Sequence, residues 1–379
     1  MKITDYLTYI FPRTICFRLA RQGVTKPVLP ITLTFSVTNH CQSKCKTCNI
    51  WKIYPRKQQD PAGELNLDEI EAIFRSMGPI YFFNLSGGEP FLRRDLPDIV
   101  ELALDYLKPR IIHSPTNAIA TNRVIDGTRK ILENIRRRGL TTPLTVKPSI
   151  DGVGALHDEI RGVPGNWEKL LATIEGLKEL EKEFPNFHLE LGTVVSNFNK
   201  HRLGEIEDFV HSLGVQSYRN EIAEQREEFV NIGDPITPTG EEYAELMKGF
   251  AGKIRQSMGA KRPLARMTES LRLVYYELAA RIVKENRQVI PCYAGISNVH
   301  LTPYGDLWPC CVLGYARPLG NLRSVDYNFP AVWHSASAAA VRDFIRNNGC
   351  ACPLANQAYS NIMCHLPSLC KAGMNMLSC

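Results

Sequence analysis

Three cysteines fall within eight residues at Cys41-Gln-Ser-Lys-Cys45-Lys-Thr-Cys48. Thiols at this spacing are metal ligands before anything else. Three is one too few for a closed structural zinc site, which takes four protein ligands. It is also one too few for an iron–sulfur cube tied to protein at all four irons. The deficit points to a cluster with one open iron, where an outside group can bind and react. A zinc knuckle completed by His40 or by a distant cysteine is the other arrangement these residues allow.

Two more polar turns follow bulky strands. Ile80–Leu85 runs into Ser86-Gly87-Gly88-Glu89-Pro90. Glycines there let backbone approach a ligand closely, and Glu89 supplies negative charge suited to an ammonium. The same residues also make an ordinary turn. Thr145–Ser149 ends in Ile-Asp151-Gly152, then His157-Asp158-Glu-Ile-Arg161-Gly162, and Thr116-Asn117 follows a strand at Arg110–His113.

In this order the motifs resemble the radical S-adenosylmethionine (SAM) superfamily, whose signature is C-x3-C-x2-C after the first barrel strand. The resemblance implies that Cys41, Cys45 and Cys48 hold a [4Fe-4S] cluster whose open iron is chelated by the amino and carboxylate groups of SAM. Reductive cleavage of SAM then gives methionine and a 5′-deoxyadenosyl radical that takes hydrogen from substrate. It places Gly87, Gly88 and Glu89 against the SAM amino group, Ser149 and Asp151 toward the ribose and carboxylate, and Asn117 beside them. Arg161 becomes a structural or SAM-orienting cation. Two positions depart from the family: Ala118 stands where glycine is common, and Thr47 where an aromatic residue lines the adenine pocket.

From Pro291 the chain turns cysteine-rich. Cys292, Gly305 and Cys310 satisfy C-x9–15-G-x4-C, the opening of the SPASM/Twitch extension, and a hairpin turning at Gly305 sets one thiol on each side of its turn. By resemblance, one auxiliary [4Fe-4S] cluster is closed by Cys350 and Cys352, or with Cys364 in place of one. A second auxiliary cluster on Cys364, Cys370 and Cys379 is the fuller version. Sulfur ligation suits zinc as well, so a zinc ribbon is the alternative here. Cys16 reads as a buried thiol without a partner.

The elements that carry these motifs alternate. Strands are expected at Ile31–Val37, Ile80–Leu85, Arg110–His113, Leu144–Ser149, His188–Val195 and Val215–Ile222. Asn66 with Glu69 forms a capping box ahead of one helix. Leu170, Ile174, Leu177 and Leu180 mark a second helix, and Ile206, Phe209, Val210 and Leu213 a third. Serial βα units imply a parallel sheet. The fold class is therefore α/β, which the resemblance makes a partial (β/α)6 barrel with a small cysteine-rich α+β auxiliary-cluster domain. The cysteine, GGE and SIDG turns all fall at C-terminal strand ends, where barrels gather ligands. The expected divisions are 1–29, a basic amphipathic segment; 30–225, the barrel; 226–290, helices bridging the barrel mouth, with a stripe at Leu264, Leu271, Val274, Tyr275, Leu278 and Ile282; and 291–379, the auxiliary domain.

With 379 residues, 44% hydrophobic and 22% charged, the composition is that of a globular protein. No apolar run reaches bilayer length, and Met1–Ala20 lacks a signal-peptide core. Twelve cysteines at metal spacings suit a reducing cytoplasm. Of the net charge of +6, much sits before residue 27, where five cations face one anion among Tyr6, Leu7, Ile10, Phe11, Ile15, Phe17 and Leu19. Residues 1–26, bent near Pro12, thus suit peripheral contact with the inner membrane face or a helix packed across the barrel end. No basic stripe with stacking aromatics marks nucleic acid.

The expectation is a radical SAM oxidoreductase or transferase, served by a flavodoxin- or ferredoxin-type electron donor. Only about thirty residues precede the barrel, which favours a small-molecule or lipid-linked substrate over the alternative, a peptide or protein substrate. Arg219, Glu221, Glu224 and Arg226 are expected near substrate. The different-class alternative is a non-catalytic zinc or iron–sulfur protein.

Overall fold

The computed structural model describes residues 6–377 other than 58, 216 and 262. Six strands lie parallel and in chain order: β1 (Thr32–Thr38), β2 (Phe82–Gly87), β3 (Ile111–Thr116), β4 (Leu144–Pro148), β5 (Phe187–Val195) and β6 (Ser217–Ile222). All six expected strands are present, with ends shifted by a few residues. Along β3 and β4 buried and half-buried residues alternate. Ile112, Leu144 and Val146 are fully buried on the outward, helix-covered face, while His113, Thr145 and Lys147 line a cavity inside the curved sheet. This is the partial barrel, and it sets polar side chains in its lumen by strand period alone.

The helices follow the sequence closely. Asn66 and Glu69 make the reciprocal capping box, with Glu69 N–H donating to Asn66 Oδ1 at 3.0 Å and Asn66 N–H to Glu69 Oε2 at 2.9 Å. Leu170, Ile174, Leu177 and Leu180 are all 0% exposed. The N-terminal helix, Phe11–Arg21, continues directly from a π-helical turn at Tyr6–Ile10, and Pro12 sits at the junction where the winding changes. Cys16 on this helix is half-buried, not enclosed as expected.

The C-terminal region continues the same sheet. β7 (Asn298–Leu301) pairs in parallel with β1, from Thr32 opposite Asn298 to Phe35 opposite Leu301. β8 (Asp306–Trp308) and β9 (Gly320–Asn321) then run antiparallel, giving nine strands in the order β6-β5-β4-β3-β2-β1-β7-β8-β9. Gly305, at φ +84°, makes the hairpin reversal.

The bridging helices Gly240–Met258 and Pro263–Glu285 pack on each other. The second also packs on the terminal helices Ala355–Cys364 and Leu366–Leu377. Its stripe at Leu271, Val274, Tyr275, Leu278 and Ile282 is buried as expected. The Leu264 side chain and Cys379 lie outside the described residues.

Candidate active site

Two chain segments clasp the cysteine loop. Lys44 N–H donates to Arg161 O at 3.0 Å and Lys46 N–H to Ile160 O at 2.9 Å, so the loop satisfies the last carbonyls of helix Ala155–Arg161. Gly88 N–H donates to Thr38 O and Glu89 N–H to His40 O, each at 2.8 Å. A Cβ on Gly88 would stand 2.2 Å from the His40 carbonyl oxygen, and one on Gly87, at φ +106°, 2.2 Å from that of Thr38. Gly162, at φ +66°, abuts the Lys44 carbonyl at 2.4 Å in the same sense. These glycines let chain approach chain, where a ligand is the expected neighbour of Gly87 and Gly88.

Around the thiols stand donors. Asn117 Nδ2 lies 3.6 Å from Cys41 Sγ, and Arg161 Nη1 3.6 Å from Cys45 Sγ. Arg161 also pairs with Asp151 Oδ2 at 2.9 Å, while Asp151 Oδ1 accepts Val194 N–H at 2.9 Å. At 2% exposure the Asp151 carboxylate is thus already engaged by the barrel. Ser149 is half-buried and bridges to Gly192. Glu89, 1% exposed, accepts from Thr116 Oγ1 at 2.9 Å, Asn117 N–H at 2.6 Å and Phe91 N–H at 3.2 Å. Burial nevertheless lifts its carboxyl to about 7, against those three hydrogen bonds. Ala118 sits at φ +61°, a left-handed conformation that glycine adopts more readily than alanine.

Burial, then the neighbouring Cys45 and Glu89 charges, push the Cys41 thiol up to about 12, and Cys48 is raised for similar reasons. Such thiols give up their protons when a cation compensates them. Three thiols backed by an amide and a guanidinium fit a cluster with one open iron.

The auxiliary thiols assemble from distant segments. Cys292, Cys310, Cys350 and Cys352 lie within electrostatic reach of one another: after burial, Cys292 and Cys350 both raise Cys310, and Cys310 and Cys292 both raise Cys352. Four thiols fit a closed cluster. Cys364 stands apart, packed with Ile10, Phe17 and Tyr293 beside Arg18. Cys370 is exposed.

Inside the curved sheet, reaching to the N-terminal ends of β1, β2 and β3 at Thr32, Phe82 and Ile111, away from the cysteine loop, lies a partly open cavity of about 380 Å³ also bordered by His113, Lys147, Glu190, Arg219 and Glu221. Lys147 pairs with Glu221 at 3.0 Å and Arg219 with Glu190 at 2.6 Å. Despite burial, Arg219 and Lys147 hold Glu190 down at about 2, whereas burial and Lys147 drop His113 to about 3. His113, Lys147 and Glu190 were not singled out in the sequence; polar residues at alternate positions of otherwise apolar strands are the signal. Buried Glu224 and half-buried Arg226 pair at 2.6 Å near the cysteines.

Residues 35–210 match the Radical SAM superfamily model, and residues 292–353 match SPASM, an iron–sulfur cluster-binding domain. The chain is 28% identical over 326 residues to the AdoMet-dependent heme synthase of Oleidesulfovibrio alaskensis, covering 80% of this chain and 74% of that one. It is 24% identical to the PqqA peptide cyclase of Xanthomonas campestris pv. campestris, over 82% and 75% of the two chains. The fold matches Streptococcus suis SuiB bound to its precursor peptide SuiA, with TM-score 0.59 and 15% identity over 86% and 69%. The protein is accordingly an enzyme that binds SAM on a [4Fe-4S] cluster and carries auxiliary iron–sulfur ligation. This chain belongs to the radical SAM superfamily, in the branch that ends in a SPASM-type iron–sulfur domain.

Proposed function

We propose that the enzyme modifies a peptide or an extended segment of a protein, a reading that reverses the expectation of a small-molecule or lipid-linked substrate. The short run before the barrel had carried that expectation, and it says nothing about the lumen. The observation that carries the peptide reading is the lumen cavity, whose paired charges Lys147–Glu221 and Arg219–Glu190 offer both donors and acceptors. A main chain needs both, and about 380 Å³ holds a side chain with its flanking amides. The likeness to the peptide cyclase over most of the chain supports it.

In this reading Cys41, Cys45 and Cys48 ligate the SAM cluster. Gly87 and Gly88 shape its loop, and Glu89, Asn117, Ser149, Asp151 and Arg161 form the SAM side. When bound and reduced, that cluster with SAM supplies a 5′-deoxyadenosyl radical. Cys292, Cys310, Cys350 and Cys352 hold the auxiliary cluster. Residues 30–225 thus form the SAM-binding unit, 226–290 the bridge and 291–379 the auxiliary unit. A low-potential flavodoxin or ferredoxin delivers the electron.

A second reading is a carboxylated small metabolite held by Lys147 and Arg219, favoured by the heme synthase likeness. The test is anaerobic reconstitution, then SAM and dithionite with short peptides encoded beside the gene. Formation of 5′-deoxyadenosine coupled to a mass change in one peptide supports the proposal. Uncoupled 5′-deoxyadenosine with every peptide, but coupling to a carboxylated metabolite, removes it.

A further inference from the structure

Between the two sets of cluster cysteines lies a group that belongs to neither. Glu228 on the loop after β6, His300 in β7 and Cys311 bring a carboxylate oxygen, an imidazole nitrogen and a thiol sulfur within 4.8 Å of one another, all buried. His300 Nε2 is 3.5 Å from Glu228 Oε1. Donors around a tetrahedral cation with bonds of about 2.0–2.3 Å stand about 3.3–3.6 Å apart, the spacing the His300–Glu228 pair already has.

The trio is held by its surroundings. Glu228 N–H donates to Cys311 O at 3.3 Å, fixing loop to hairpin. Ser36 Oγ donates to Glu228 Oε1 at 2.9 Å and lies 2.8 Å from His300 Nε2. The imidazole lies over Trp308, ring centres 5.2 Å apart. A hydrogen-bond network alone would account for Ser36, Glu228 and His300, but it gives Cys311 no part. It also leaves the buried charge unbalanced. Glu224 and Glu228 share the Arg226 guanidinium, at 2.6 and 3.9 Å, and Glu224 Oε2 is buried without a hydrogen-bond partner. Two buried carboxylates against one cation favour a further positive charge.

We propose that Glu228, His300 and Cys311 bind a divalent transition cation of the zinc type, separate from both clusters. One sulfur, one imidazole and one carboxylate are a zinc donor set, and three protein ligands leave a fourth position open. The three side chains line, with Thr34, Ser86 and Asn298, a cavity of about 40 Å³, room for a water or for one donor atom of a substrate. Use of the cation to anchor a substrate carboxylate or amide oxygen rests on the peptide reading; the metal site itself does not.

The test is metal analysis of the iron-replete, anaerobically reconstituted enzyme given one equivalent of zinc and desalted, with zinc-edge X-ray absorption. The expected result is about one zinc per chain, with one sulfur at about 2.3 Å and the rest nitrogen or oxygen at about 2.0–2.1 Å. Cys311→Ala and His300→Gln should each lower zinc retention at least tenfold while keeping full iron. No zinc on iron-replete protein, a shell of three or four sulfurs, zinc unchanged in both variants, or loss of about half the iron in Cys311→Ala would each overturn the assignment. Because zinc is read without substrate, failure of the peptide reading leaves this result intact.

Discussion

Gly88, Glu89 and Arg161 show how much of the active site is decided by single residues. The methyl group of Gly88→Ala would strike the His40 carbonyl, a backbone atom that moves only with the cysteine loop. That variant should lose about half its iron, read by iron analysis and cluster absorbance, and release no 5′-deoxyadenosine. Glu89→Gln keeps the size of the side chain and removes the charge proposed to meet the SAM ammonium. It should weaken SAM binding by roughly 10–100-fold, measured by equilibrium dialysis on the reconstituted enzyme, in line with a charge-assisted hydrogen bond. An unchanged affinity would take Glu89 out of the SAM site. Arg161→Met strands the Asp151 carboxylate at 2% exposure, so about 3 kcal/mol of stability should go with it, seen in denaturant unfolding.

At the scale of elements, the helix Leu67–Met77 is capped and clamped through one side chain. Glu69 closes the capping box on Asn66 and also pairs with Arg323 of the auxiliary region at 2.7 Å, with Tyr327 donating at 2.8 Å. Arg323 chiefly holds the Glu69 carboxyl down at about 2. Glutamine can still cap, so Glu69→Gln should cost about 1 kcal/mol and Glu69→Ala about 2 kcal/mol in urea unfolding. The Glu69→Gln deficit should be complete above about pH 4.5, the ordinary carboxyl value, and fade as pH falls toward 2, because protonation then removes the same charge from the parent. The Asn66–Glu69 box was legible in the sequence, being four residues long. The Arg323 partnership was not, because 254 residues separate the two.

Across the whole molecule, the unbroken sheet from β6 to β9 couples the two cluster regions while their ligand sets stay separate. Cys310→Ala should keep SAM cleavage, read as 5′-deoxyadenosine, and abolish substrate conversion. Cys364→Ala should leave the iron content unchanged. Two of the N-terminal cations turn inward: Arg18 Nε donates to Cys364 O at 2.7 Å and Arg21 Nε to Cys292 O at 3.0 Å. What faces out is Phe11, Ile15 and Leu19. No described helix is long and apolar enough to cross a membrane. If that stripe contacts an anionic surface, the protein sediments with anionic vesicles and Ile15→Glu stops it; parent protein left in the supernatant removes the membrane reading.

The sequence by itself determined the chemistry that depends on neighbours in the chain. The Cys41–Cys48 loop, the GGE and SIDG turns, the helix caps and the order of strands are local, and their spacing or period states what they are. Only the tertiary structure decided which distant groups meet. It gathered Cys350 and Cys352 with Cys292 and Cys310 and set Cys364 aside among Ile10 and Phe17. It closed Asp151 on Arg161, and it brought Glu228, His300 and Cys311 together from three segments. Thiols, carboxylates and imidazoles carry no record of their partners until packing of the sheet and its covering helices fixes the distances between them.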